Sequence, residues 1–507
     1  MLKLTASQQV VADALVAWAT DDETADPMVT LSGYAGTGKT TVISYCVEAW
    51  LAAGLRVAIC APTNKAVGVL EQKISAHLLN CARARRDEDG FVVDGDADPQ
   101  IPEFEAKSVH SMLGMKLEEQ EDGTQRCVAG TGEAKIQEYD VVAVDEASMV
   151  TADLFRHLIA HRGRTRIVFV GDSMQLPPVG EREIAAPFRV VTRRYELSEV
   201  VRQAAENPII GFSMALRRWI QDDHRPDAAD IVEALGAQQP RCTLTYGTQQ
   251  TIRDYCVHAI RAGLDARIVA YMNRTVVGHN DGIHEALYGV TEFPFVAGER
   301  VIAQEAFVAR DIPADMTAEQ LERLERDHRD EDEGRLQRGR DAARTKGVQI
   351  MNSEELIVEH VEAAVHPRYP NVAAFRITAR TESGRVAKCL AARDERQREG
   401  EQRALWADWR RLKADADAAR ARRDHSGEAT ARTAAKKASA KAWAFKKAFA
   451  PLRHTYAITA HKSQGSTFHT VIVDFSDVER MRTAFDMGRS LYVAVTRAAE
   501  NVAMVSQ

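Results

Sequence analysis

Cysteine is sparse and scattered in this 507-residue chain. The seven, Cys46, Cys60, Cys81, Cys127, Cys242, Cys256 and Cys389, form no C-x-x-C pair and have no histidine at zinc-finger spacing. An odd count without a framework excludes a disulfide-stapled secreted domain and points away from structural zinc; reduced thiols in a cytoplasmic setting are expected. Long apolar runs are missing too. No stretch approaches eighteen apolar residues, and residues 1–14 lack a basic segment followed by an apolar core, so neither a membrane span nor a secretion signal is expected. Positive charge is also in deficit: the net charge is −7. That excludes nucleic-acid binding over the whole surface and leaves room only for a local cationic path. Such a path is available, because residues 310–345 carry 11 acidic and 8 basic side chains whereas 391–450 carry 16 basic and 9 acidic.

What the chain does have is apolar content, 45%. Single cores seldom grow beyond about 250 to 300 residues, so this length builds two or three cored domains. The most specific pattern is Gly33-Tyr34-Ala35-Gly36-Thr37-Gly38-Lys39-Thr40, between a strand-like run at 28–31 and a helix-compatible stretch at 41–51. G-x-x-x-x-G-K-T in a strand–loop–helix context is a phosphate-binding loop. Backbone N–H groups wrap an anion, Gly38 admits close approach, and Lys39 reaches the outer phosphates of a nucleoside triphosphate. Thr40 supplies a hydroxyl to Mg2+, and Gly33, Gly36 and Thr41 belong to the same nucleotide-binding set.

Three further apolar runs end in polar loops: 57–60 before Ala61-Pro62-Thr63-Asn64-Lys65, 141–144 before Asp145-Glu146, and 167–170 before Gly171-Asp172. Short β-rich runs separated by helical stretches predict an α/β fold, a parallel sheet covered on both faces with all four loops on one rim. Asp145 then stands where a carboxylate shares Mg2+ with Thr40, and Glu146 is the candidate base for an attacking water. An acidic pair at a strand end is otherwise simple solvation; its coupling to the phosphate loop favours the metal reading.

The segments Gly171-Asp172-Ser173-Met174-Gln175-Leu176-Pro177-Pro178-Val179, Val201-Arg202-Gln203, 456–467 and 491–498 follow in one order. Together with the loops above they resemble the ordered motifs of superfamily 1 helicases, in the subgroup (1B) containing RecD-like and Dda-like enzymes. Leu4-Thr5-Ala6-Ser7-Gln8 resembles the N-terminal adenine-reading motif. Residues 63–65 and Ser108-Val109-His110-Ser111 resemble the DNA-contacting motifs, and Tyr271-Met272-Asn273-Arg274-Thr275-Val276 the signature that opens the second motor domain. The likeness spans nearly the whole chain and is closest in layout to the Dda type. It implies two RecA-like P-loop motor domains, ATP and Mg2+ as cofactors, and an ATP-dependent DNA helicase. Such an enzyme translocates on single-stranded DNA, 5′ to 3′ in this subgroup, and separates duplex at junctions.

The same resemblance assigns roles. Gln8 and Gly465 join the nucleotide site and Gln175 senses the γ phosphate. Arg202 and Arg497 become arginine fingers from the second motor domain, whose guanidinium groups neutralise charge on the transferred phosphoryl. Thr63, Asn64, His110, Asn273, Thr459 and His461 are implied along the strand, where short polar groups hold phosphates without reading sequence. Ordinary structural roles stay open beside these: salt bridges for the two arginines, core or capping positions for His110 and His461.

Residues 1–190 read as the first motor domain, with a β-hairpin, pin-like insertion at about 115–137. Residues 191–309 and 451–507 read as the second, 310–346 as a charged connecting segment, and 347–450 as a small β-barrel-like insertion with a basic helical extension. The pin rests on 116–128, where Glu121-Asp122-Gly123-Thr124 supplies an Asp-Gly hairpin turn, but it has no aromatic residue for stacking on a base. Residues 83–104, with Asp89-Gly90-Phe91, read as a second hairpin or, preferably, a surface loop. Trp443, Phe445 and Phe449 interleave with Lys441, Lys446 and Lys447, either as a stacking platform beside phosphates or as packing rings, while Trp406 and Trp409 anchor a helix. A monomeric cytoplasmic protein of a bacterial cell or phage-infected host is expected, without membrane contact and with the charged helices as a candidate protein-docking surface.

Overall fold

A computed structural model describes residues 4–21, 26–88, 101–119, 125–129, 134–199, 207–235, 241–312, 316–323 and 347–507. The chain divides into two compact units, one of Met1–Lys116, Cys127–Ile283 and Tyr456–Gln507, the other of Leu117–Arg126 and His284–Thr455. Among the described residues no helix is long and apolar enough to cross a membrane.

In chain order, β1 (Met28–Gly33), β2 (Val57–Ala61) and β3 (Glu105–Ser108) precede a hairpin of β4 (Met115–Glu119) and β5 (Gln125–Ala129), and β6 (Val141–Val144), β7 (Arg166–Gly171) and β8 (Arg193–Leu197) follow. Apart from the hairpin, they form one sheet in the order β3-β2-β6-β7-β1-β8. Every junction is parallel. β2 and β6 are buried along their whole length, as unbroken apolar runs require when helices cover both faces and no side is left for alternation. Trp18, Trp50 and Leu15 belong to one core cluster of this sheet, Phe155, Phe169 and Leu158 to another. The first lobe does not stop at 190. β8 pairs with β1, and as an edge strand it exposes Arg194 and Glu196, so its pattern alternates and carries no apolar run to betray it.

Downstream, β9 (Cys242–Tyr246) and β10 (Ala266–Ala270) lead into strands of the second unit, β11 (Arg300–Ala303), β12 (Phe307–Ala309), β13 (Val348–Ile350), β14 (Glu355–Val365), β15 (Ala373–Thr381), β16 (Val386–Ala392) and β17 (Leu452–His454). β18 (Ala457–Thr459), β19 (Phe468–Asp474) and β20 (Ala498–Ser506) then complete a second sheet of the first unit, in the order β18-β10-β19-β20-β9. It too is parallel throughout. The two parallel sheets match the expectation of two RecA-like lobes.

The second unit is built on an antiparallel sheet, β16-β15-β14-β11-β17, with β12 and β13 as a separate ribbon. Among the described residues its hydrogen-bond order is open, ending at β16 and β17, in place of a closed barrel. Its borders also differ from 347–450. β11 and β17 pair with each other inside this sheet, so the insertion begins ahead of 310 and the second lobe resumes at Tyr456. Strands of three and four residues are too short to announce which sheet they serve.

Helices Glu395–Ala421 and His425–Ala448 form an antiparallel pair. Trp406 meets Trp409 and Trp443 edge-on, at 5.7 and 5.1 Å between ring centroids. Phe445 and Phe449 are buried against Tyr369. Phe445 and Phe449 therefore pack inward, whereas half-buried Trp443 has Lys446 and Lys447 over its ring. The Asp122-Gly123 turn of the hairpin, the Asp89-Gly90-Phe91 loop and most of the charged 310–346 segment lie outside the described residues.

Trp409 is 2% exposed. Trp409→Ala is expected to destabilise the helical pair by about 3 to 5 kcal/mol, read as lost amide-exchange protection across 395–448; undiminished protection there would show that the pair does not depend on this ring.

Candidate functional site

β1 delivers the chain into the loop 34–38 at its carboxyl end, and helix Lys39–Ala52 begins at once. Gly36 and Gly38 have φ of 82° and 81°, a left-handed backbone that glycine adopts without strain. A Cβ at Gly38 would stand 2.4 Å from Gln8 Nε2, and one at Gly33 would stand 2.6 Å from Thr37 Oγ1. Thr37 Oγ1 donates to the Tyr34 carbonyl at 2.9 Å, and Gln8 Nε2 donates to the Thr37 carbonyl at 2.9 Å. The other end of the Gln8 amide accepts from the Thr5 N–H at 3.0 Å, closing the capping box of helix Ala6–Thr20. Gln8 is thus a buried brace of the loop, with both ends of its amide engaged. Thr40 and Thr41 sit half-buried on the first helical turn beyond Lys39.

Lys39 Nζ donates to the Gly33 and Tyr34 carbonyls at 2.6 and 2.9 Å. Desolvation depresses its pKa; Asp172, Glu146 and Asp145 oppose the shift, and Arg497 adds to it. The loop lysine, the carboxylates after β6 and β7, and an arginine from the far sheet therefore share one electrostatic neighbourhood. Desolvation, with repulsion from Glu146, pushes Asp145 up to about 6. Glu146 itself has φ of 50°, a left-handed geometry that costs a non-glycine residue about 1 to 3 kcal/mol and persists where surroundings impose it. Its Oε1 lies 3.9 Å from where a Cβ of Gly465 would be, so the carboxylate faces the loop ahead of β19.

Arg497 follows helix Ala484–Thr496 and is 8% exposed. Its Nη1 donates to the Ser466 carbonyl and its Nη2 to Thr496 Oγ1, both at 3.3 Å. Its Nε is buried and has no partner among the described residues, and the same holds for Gln175 Oε1. Buried polar atoms are rarely left unpaired without a reason. Here one is a donor and one an acceptor, both in residues the motifs had singled out. Arg202, with Val201 and Gln203, lies outside the described residues.

The contacts that hold the two sheets in register were not visible in the motif spacing. Asp172 is 1% exposed. Its Oδ1 accepts from Arg217 Nη1 at 2.7 Å and from the Met174 N–H at 3.0 Å, and its Oδ2 accepts from the Tyr492 hydroxyl. The Arg217 guanidinium also lies 4.4 Å from the centroid of the Tyr34 ring, in the phosphate loop. Arg489 Nη1 donates to the Ser173 and Gln175 carbonyls at 2.6 and 2.7 Å, and Gln464 Nε2 donates to the Leu176 carbonyl at 3.2 Å. One signal was present. Arg489 and Tyr492 interrupt a helix buried from Met487 to Val495, and a charge in a run that must be buried demands a partner.

Three hydroxyls in the segments expected to contact the strand share one device. Thr63 Oγ1 accepts from the Ala66 N–H at 3.2 Å, Ser108 Oγ from the Ser111 N–H at 3.3 Å, and Thr459 Oγ1 from the Lys462 N–H at 3.3 Å. Each hydroxyl caps a helix at or just beyond the carboxyl end of β2, β3 or β18, and each keeps an O–H proton to donate elsewhere. Asn64 and Asn273 are exposed at helix starts. The turn before Asn273 is held by Asp477, which accepts from the Tyr271 and Met272 N–H groups at 2.8 Å each and from Thr275 Oγ1 at 2.9 Å. His110 and His461 are half-buried, and desolvation lowers the pKa of both, which leaves them neutral hydrogen-bonding groups at pH 7.

The AAA domain family matches residues 3–237, which carry the phosphate loop, and the UvrD-like helicase C-terminal domain family matches 454–505, which carry Arg497. The chain is similar to the ATP-dependent DNA helicase dda of Enterobacteria phage T4, 27% identical over 55% of this chain and 56% of that protein. It is also similar to the ATP-dependent RecD2 DNA helicase of Deinococcus radiodurans, 32% identical over 36% of this chain and 21% of that protein. The chain belongs to the superfamily 1B helicases. Both curated relatives are matched over less than two thirds of their own length. Among solved structures, the Pif1 helicase from Candida albicans aligns over 100% of this chain and 95% of that one, at 15% identity and a TM-score of 0.44. For a superfamily 1B chain the arrangement is coherent: the matched N-terminal segment supplies Lys39, Asp145 and Glu146, and the matched C-terminal segment supplies Gly465 and Arg497 opposite them.

Arg217 and Asp172 have side-chain exposures of 8% and 1%. Removing one partner of such a pair costs about 3 to 5 kcal/mol, whereas replacing both with similar volume costs much less. In urea denaturation, Arg217→Ala should lose that much and Asp172→Asn/Arg217→Met clearly less; equal losses would mean that the two charges do not depend on each other.

Proposed function

We propose that this superfamily 1B chain is an ATP-dependent DNA helicase that moves 5′ to 3′ along single-stranded DNA as a cytoplasmic monomer and separates duplex at junctions. The observation that carries the proposal is Arg497. It caps a helix packed on the second sheet, lies close enough to add slightly to a lowering of the Lys39 pKa that burial dominates, and holds a buried guanidinium Nε without a partner among the described residues. A loop and a finger contributed by different lobes make hydrolysis depend on how the lobes meet, which is what couples chemistry to movement.

The residues fit an ATP–Mg2+ complex. Gly36 and Gly38 hold the left-handed backbone that turns the loop's N–H groups toward an anion. The unpaired Gln175 Oε1 and Arg497 Nε suit an attacking water and a phosphate oxygen. Asp145, raised to about 6, carries a repulsion from Glu146 that a divalent cation would relieve. When bound, ATP supplies the phosphoryl group and Mg2+ the positive charge that offsets its developing negative charge. Lys39 would exchange the Gly33 and Tyr34 carbonyls for phosphate oxygens, Thr40 and Asp145 would hold the metal, and Glu146 would take the proton of the water. Arg497, with Arg202 by resemblance, would balance the phosphoryl, a role worth roughly 10³ to 10⁵ in rate elsewhere. Thr63, Asn64, His110, Asn273, Thr459 and His461 would hold the strand through short donors that release as readily as they bind. The direction of travel rests on superfamily 1B membership alone.

Lys39→Ala is expected to keep single-strand binding, measured by fluorescence anisotropy, and to lose strand separation altogether; unwinding at wild-type rate in this variant would overturn the proposal. Direction is read with forked DNA carrying a single tail. A 5′ tail should support unwinding and a 3′ tail should not, and the opposite preference would reverse the assigned polarity while leaving the motor reading intact.

A further inference from the structure

We infer that His284, Glu299 and His454 form a zinc-binding site at the root of the second unit. Glu299 is fully buried, and His284 and His454 have side-chain exposures of 11% and 13%. Their donor atoms all lie within 4.8 Å of one another. Glu299 Oε1 is approached by two imidazole nitrogens at once, His284 Nδ1 at 3.2 Å and His454 Nδ1 at 2.6 Å. The two rings stack at 4.6 Å between centroids, and Glu299 Oε2 accepts from the Val296 N–H at 3.1 Å.

The protons decide what this cluster can hold. Thr291 Oγ1 donates its single proton to the Phe293 carbonyl at 2.6 Å, so towards His284 Nε2, at 3.3 Å, it acts as acceptor. Hydrogen bonding therefore places the His284 proton on Nε2 and leaves a lone pair on Nδ1 in the neutral ring. That lone pair faces a carboxylate oxygen in a buried place, an arrangement that needs either a second proton on the ring or a metal cation between the two atoms. One proton satisfies the shorter contact, from His454; the second contact remains. A divalent metal ion answers all three donors together, and the Thr291 contact is the outer hydrogen bond that metal-binding histidines usually make.

Two imidazoles and one carboxylate suit zinc better than Mg2+, which prefers oxygen ligands. With bonds of about 2.0 to 2.2 Å, tetrahedral ligands stand about 3.3 Å apart, so the 3.2 Å contact already fits and the shorter one opens by about 0.7 Å. A water completes the fourth position. The scarcity of paired cysteines excludes only cysteine-based zinc. These ligands come from positions up to 170 residues apart (454 − 284), a spacing that no sequence motif reports. Their placement gives the metal a structural task. His284 lies on helix Asn273–Tyr288 where the chain enters the second unit, Glu299 directly precedes β11, and His454 ends β17, paired with Val301, just before the chain leaves. Zinc here would staple the three segments that define the insertion.

The test uses tag-free, full-length protein, stripped with a chelator and titrated with zinc or cobalt in excess Mg2+ and without nucleotide. One equivalent should bind, with the visible absorption of tetrahedral cobalt and a rise in melting temperature. His284→Gln/His454→Gln should abolish it, and Cys81→Ser, which removes a donor from a separate cluster with Glu48 and His77, should not. Thr291→Val keeps all three ligands and should weaken zinc affinity about 10- to 100-fold, which keeps the inference testable if the double variant fails to fold. Absence of stoichiometric binding, or binding that both the double variant and Thr291→Val leave unchanged, would show that the cluster holds only protons.

Discussion

One buried carboxylate, Asp172, ties the nucleotide loop to the far sheet. It takes Arg217 and Tyr492 from helices that pack on the second sheet, and it is the largest favourable charge acting on Lys39. An aspartate this deep is costly in isolation and tolerable only while its partners stay in place. Displacing Arg217 would leave a bare charge in a dry environment. Arg217 also rests on Tyr34, so this buried pair and the phosphate loop share a side chain.

The remaining cross-sheet contacts are of another kind. Arg489 and Gln464 hold backbone carbonyls of Ser173, Gln175 and Leu176. They fix the backbone of the segment that carries Gln175 while leaving its side-chain oxygen unpaired. On the opposite side, Ser466 and Thr496 orient Arg497 through its two terminal nitrogens and leave Nε open. In both cases the hydrogen bonds position the residue and leave one side-chain atom without a partner among the described residues. On the proposed reading these atoms would meet the ligand, and such pre-organisation would lower the cost of ordering the site.

Legibility in the sequence tracked how local each signal was. The phosphate loop, the carboxylates after β6 and the buried runs of β2, β6 and β7 declare themselves within a few residues, because glycine conformation and double-sided burial act locally. β8 was assigned to the wrong lobe because an alternating edge strand looks the same in either sheet. β11 and β17 were missed as members of the inserted sheet because strands this short owe their existence to pairing with each other. Phe445 and Phe449 stand near lysines in the chain but point into a core in space, while Trp443 keeps its lysines over the ring. Arg217 and the His284, Glu299 and His454 cluster depend on partners far away in the chain, and no spacing rule reaches them.

The net charge of −7 bears on how such a chain could hold a polyanion at all. A surface of this sign gives little general attraction to phosphate, so contact must come from donors placed by the fold. Thr63, Ser108 and Thr459 would meet that need with one geometry: an oxygen fixed by a backbone N–H at a helix start, and a hydroxyl proton left to donate elsewhere. A hydroxyl so held contributes a modest, directional hydrogen bond, whereas a lysine contributes a longer-range and less geometrically exacting one. On the proposed reading, weak directional bonds of this kind would form when the strand is in register and fail when it shifts. A motor that must let go as often as it grips would then be better served by a track of capped hydroxyls than by a band of positive charge.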